Sequence, residues 1–107
     1  MYLLVHTELS RNDIQGAIYY LLEEKQSIQA VDDLIQDLHQ KYSHLMTMPY
    51  SRALVQDKLL SDLGYRYIQI KKYFLFYFIE EDTKKVVFTR FLHSRTDWKN
   101  ILKEDIL

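Results

Sequence analysis

The chain contains no cysteine, which excludes disulfides, thiol chemistry and any Cys-based metal site. One proline and two glycines leave no linker-like or disordered composition. No apolar run approaches the ~20 residues that a membrane-spanning helix needs. The N-terminus shows no basic segment followed by a long apolar stretch, so no signal peptide is expected. Gly-rich phosphate loops, Ser-His-Asp sets and dinucleotide fingerprints are also missing. The expectation is one cytoplasmic domain over residues 1–107, large enough for a single core.

What is present is aromatic. Nine Tyr and five Phe are many for this length, and some must reach the surface, favouring a stacking or partner-binding face. The net charge of −1 is unevenly spread. Residues 1–51 carry three basic and seven acidic side chains, whereas residues 52–103 carry eleven basic and six acidic ones. A basic half can mark a face for a polyanion, but a total near neutrality argues against strong nonspecific binding of nucleic acid.

Periodicity divides the chain in two. The opening YLLVHT, residues 2–7, is β-prone. Ser10 followed by Asp13 fits a capping box, and the helix it opens carries Ile14, Ala17, Ile18, Leu21 and Leu22 on one face. A second helix is expected from Ser27, with a seam of Ile28, Val31, Ile35, Leu38, Tyr42 and Leu45. A short connection makes the two an antiparallel hairpin. After Pro49 the period becomes two: residues 65–70, 73–80 and 84–93 read as a three-stranded meander, and RALVQDKL as an extension of that sheet. Ser94 with Asp97 fits a second capping box, opening a tail helix with Trp98, Ile101 and Leu102 on one face. The expected order is β-α-α-β-β-β-α, an α+β domain with a helical hairpin and a C-terminal helix packed on a twisted antiparallel sheet.

The stretch LGYRYIQIKKYFLFYFIEEDTKKVVFTRFLHSRTDWKNIL resembles the RelE/ParE superfamily of bacterial type II toxin–antitoxin modules. The resemblance lies in an Arg near the start of the first meander strand (Arg66), an aromatic Y-x-x-F-Y strand (Tyr73 to Tyr77) and an R-x-L-H-x-R-x-D ending (Arg90 to Asp97). The N-terminal half matches in helix placement and in MPYS, residues 48–51. Such toxins are neutralised by a cognate antitoxin protein. RelE-like members are ribonucleases that cut mRNA on the ribosome, and ParE-like members poison DNA gyrase. The resemblance thus implies a metal-independent endoribonuclease that inhibits translation, with gyrase poisoning or a non-catalytic, antitoxin-binding role as the alternatives, and no cofactor.

RNA transesterification needs a proton-transfer group and fixed cations around the scissile phosphate. His93 titrates near neutrality and can act as acid or base, and the resemblance assigns a catalytic residue to its strand end. Arg66 and Arg95 would offer donor forks to phosphate oxygens. Arg90 is a further candidate, although strand alternation groups it with Val86, Phe88 and Leu92, where it could equally be a pairing arginine. Asp57, flanked by Lys58, is the nearest candidate for the carboxylate base that some RelE-like members place before the meander. The stretch 93–97 is open to two readings that are compatible, because a helix start is also an anion site. His39 and His44 are five apart on a helix and His6 is alone in a strand, so no metal site is expected.

Overall fold

A computed structural model describes residues 1–107. Strand β1 (Leu3–His6) leads into helix α1 (Glu8–Glu23), which turns at Gln26 into α2 (Ile28–Thr47). A 3-10 turn at Pro49–Ser51 and a short helix α3 (Lys58–Asp62) precede the meander β2 (Arg66–Ile70), β3 (Tyr73–Glu80) and β4 (Lys85–His93); helix α4 (Trp98–Ile106) follows. The sheet order is β1-β4-β3-β2, antiparallel except that β1 pairs parallel with β4, Leu3 opposite Lys85.

Local chemistry sets most boundaries. Ser27 caps α2 as expected, accepting the Ala30 N–H through its hydroxyl at 3.1 Å. For α1 the cap is instead Thr7, whose Oγ1 accepts the Ser10 N–H; Ser10 lies inside the helix, fully buried. The second expected capping box also dissolves. Asp97 is itself the N-cap of α4, and its carboxylate takes the Asn100 amide at 2.6 Å rather than a backbone N–H. RALVQDKL adds only one bridge to the sheet, Leu54 opposite Arg66, before Asp57 caps α3. That short helix was not foreseen, because five residues are too few to show a 3.6-residue period.

Two cores form, one on each face of the sheet. Beneath the α1–α2 hairpin lie Leu34, Leu38, Leu45, Ile68, Ile70, Leu75, Tyr77, Val86, Phe88 and Phe91. Beneath α3 and α4 lie Val55, Leu60, Phe76, Leu92 and Leu102, with Trp98 and Ile101 against them. The α2 seam is shifted from the expected one: Leu34 is buried, whereas Ile28 and Ile35 are exposed.

A β-bulge explains why alternation misplaces the end of β4. Phe76 pairs with Arg90 and Tyr77 with Phe88, so Thr89 is the extra residue. Threonine hydroxyls satisfy both carbonyls there: Thr89 Oγ1 donates to Phe76 O, and Thr7 Oγ1 donates to Thr89 O. The bulge reverses the phase of the strand. Phe91 joins Val86 and Phe88 under the hairpin, while Leu92 moves to the α4 face.

His6 is tied into a half-buried chain of hydrogen bonds rather than standing alone. Ser10 Oγ donates to Thr7 O, so it accepts the His6 Nδ1–H at 2.9 Å; Nε2 then accepts the Tyr42 hydroxyl at 2.7 Å. Burial, then the nearby Arg11, pushes the imidazole pKa down. The folded state therefore resists protonating it. Stability contributed by the neutral ring is complete above the unfolded pKa of about 6.5 and is lost as the pH falls through the lower folded value. We expect the urea midpoint to drop between about pH 7.5 and pH 5.5, with a smaller drop in His6→Gln. An unchanged difference in the variant would assign the slope to other groups.

Candidate functional site

The structure separates the candidate residues into three locations. His93 ends β4 opposite Tyr73, with their rings edge to face at 5.5 Å. A tight turn follows, in which Thr96 N and Oγ1 both donate to His93 O and the Arg95 N–H donates to His93 Nδ1 at 3.2 Å. His93 and Arg95 are thus neighbours, with Arg95 exposed. They sit at the end of the strand rather than across a phosphate-sized gap from a second cation of the motif.

Arg66 stands elsewhere. It pairs with Tyr77 in the middle of β3, four residues along from Tyr73, on the other side of that strand from His93. Four residues along the strand and two strand spacings across put about 16 Å between the Arg66 and His93 backbones. Its guanidinium donates through Nη1 to Arg52 O and, at 3.5 Å, to Tyr50 O, and stacks on the Tyr50 ring at 5.3 Å. This arginine organises the loop after α2. The neighbouring Tyr77 hydroxyl does the same from below, donating to Pro49 O at 2.7 Å, and burial pushes its pKa up to about 12.

Arg90 and Asp57 have structural partners. Arg90 grips Asp13 through Nε (2.7 Å) and Nη2 (3.1 Å) and reaches Asp105 through Nη1 at 3.2 Å. It joins α1 to α4, and its pKa is raised chiefly by the Asp13 hydrogen bonds. Asp57 accepts the Leu60 N–H and pairs with Lys103 at 2.9 Å, tying α3 to α4. The Lys103 hydrogen bond, then that of Leu60, holds its carboxyl below the usual range. A general base working near neutrality needs the opposite shift.

A sizeable concavity adjoins His93. A cleft of about 810 Å³ opens between the end of α1, the start of α2 and the β2–β3 turn. Its floor is Leu21, Ala30, Leu34 and Tyr73, and its rim holds Lys25, Lys71 and Lys72. Sequence reasoning missed these lysines because the topology gathers them from two separate turns. Two left-handed residues marked those turns only in the structure, Gln26 and Lys71.

Comparison with solved structures gives the class of protein this geometry belongs to. A chain of the toxin–antitoxin complex RelBE2 from Mycobacterium tuberculosis matches with a TM-score of 0.57 at 18% identity, over 86% of this chain and 96% of that one. A chain of the chromosomal ParDE toxin–antitoxin system from P. aeruginosa matches with a TM-score of 0.61 at 15% identity, over 87% and 96%. Both show the RelE/ParE fold. No functionally characterised protein matches in sequence. The family profile described as the ParE toxin of the type II toxin–antitoxin system parDE matches residues 4–98, so the chain belongs to that toxin family. No helix is long and apolar enough to cross a membrane.

Proposed function

We propose that this toxin acts by binding a protein target, DNA gyrase, as ParE-like toxins do, rather than by cutting mRNA. The separation of Arg66 from His93 carries this reading. A phosphorane needs acid, base and cation within hydrogen-bond reach of one phosphate, about 3 Å each. Here Arg66 and His93 lie on strands either side of β3, four residues apart along it, with the Arg66 guanidinium turned to the Tyr50–Arg52 loop. Arg90 and Asp57, the other candidates, are committed to ion pairs.

The purified chain is expected to inhibit gyrase supercoiling and to leave mRNA intact in a cell-free translation reaction. Growth arrest should persist in His93→Gln within a few-fold, whereas a ribonuclease using that imidazole would lose on the order of 100-fold. Ribosome-dependent cleavage that disappears in His93→Gln would replace this proposal with the nuclease one.

A further inference from the structure

The lysine-rimmed cleft is the least explained feature of the surface. Lys25, Lys71 and Lys72 are exposed, and none is paired with a carboxylate among the ion pairs of the fold. Lys25 instead lies over the Tyr20 ring, 5.8 Å from its centre. Asp33 is the one carboxylate lining the cleft; Asp37 shares a neighbouring polar hollow with Lys71 but is paired with Lys41. The start of the 20-residue α2 adds its positive end to the same mouth. Below this rim the lining is aliphatic and aromatic, with Leu34 buried at the base.

We infer that this cleft seats an acidic segment of the antitoxin that carries one apolar anchor residue. The charge of the rim selects carboxylates, and the aliphatic floor selects a side chain such as leucine over a sugar-phosphate backbone. A nucleic acid would meet few stacking faces here: Lys25 lies over one face of the Tyr20 ring, and Tyr73 is packed against Phe91 at 4.7 Å. The cleft is large enough for one side chain and a turn of peptide. In this arrangement His93 is a wall of a binding site, its free edge available to a carboxylate. The inference rests on membership of the toxin family and is independent of the choice of gyrase as target.

The probe is a synthetic peptide, acetyl-Glu-Asp-Leu-Glu-Asp-amide, titrated into the labelled toxin and followed by NMR. Shifts should concentrate on Ala30, Lys72 and His93. The double variant Lys25→Glu/Lys72→Glu should weaken binding about tenfold, since two exposed attractive contacts become repulsive. Lys99→Glu, on the far helix, should leave it unchanged. In cells co-expressing the cognate antitoxin, the double variant should escape neutralisation while still arresting growth alone. Three outcomes would overturn the inference: shifts confined to other surfaces, tighter binding of a 12-nucleotide single-stranded RNA at the same residues, or full neutralisation of the double variant. Loss of growth arrest in the double variant would move the site to target binding and overturn it also. Supercoiling inhibition by the unmodified toxin is a separate readout, so the two proposals fail separately.

Discussion

Asp13→Ala should cost about 3 kcal/mol of stability, one of the two largest effects we expect from a single substitution in this chain. The carboxylate accepts three hydrogen bonds, two from the Arg90 guanidinium and one from Phe91 N–H at 3.0 Å. Strand β1 ends at His6, so β4 has an open edge beyond Phe88, and Asp13 closes it. Both charged side chains are only 16% exposed. Removing Asp13 therefore leaves a largely covered guanidinium with only its longer contact to Asp105, and a strand N–H without an acceptor. A domain of this size should lose roughly 15 °C in Tm for that change. Asp105→Ala removes the longer, more exposed arm of the same arginine and should cost about 1 kcal/mol. Asp13→Asn keeps an acceptor for Phe91 and should fall between them. If Asp13→Ala and Asp105→Ala cost the same in thermal denaturation, the edge-closing role is wrong.

Phe76→Ala is the second, at about 4 kcal/mol. Phe76 is fully buried on the face covered by α4. Its ring lies 5.2 Å from that of Trp98 and 6.0 Å, edge to face, from Phe74. Its loss leaves a cavity under the only tryptophan of the chain. We expect the emission of Trp98 to shift to the red in the folded variant, while far-UV circular dichroism changes little. An unshifted spectrum at full destabilisation would mean that α4 collapses onto the cavity, leaving Trp98 as dry as before.

Much of the fold was legible because its signals are local. The change from a three-and-four spacing to a two-residue alternation at Pro49 separates helices from strands, and Ser27 caps its helix through the chemistry its side chain predicts. The failures share a physical cause. Thr7 and Ser10 are both competent caps, and which one serves was decided by the strand β1 that delivers the chain into α1. Alternation along β4 gave the wrong face for Leu92 because a bulge at Thr89 is invisible to a period count. The meander order β2-β3-β4 was legible, but the parallel place of β1 beside β4 was not, nor was the register: Arg66 and His93 share one motif in the sequence, yet they lie either side of β3 and four residues apart along it. The resemblance thus identified the family, while the reaction depended on distances only the sheet defines.

The parallel pairing of β1 with β4 also bears on when the toxin can exist during its own synthesis. Leu3 to His6 find their partners at Lys85 to Phe88, so the first strand waits for nearly the whole chain. The meander can zip locally, but the hairpin helices have no sheet to cover until β2 to β4 have emerged. Contacts of such sequence separation close late and slowly. A nascent chain still missing β4 lacks an inner strand of the sheet, and with it Val86, Phe88 and Phe91 of one core and Leu92 of the other. Harm to the cell would therefore begin only once β4 has emerged and the sheet has closed, when an antitoxin already present can meet it.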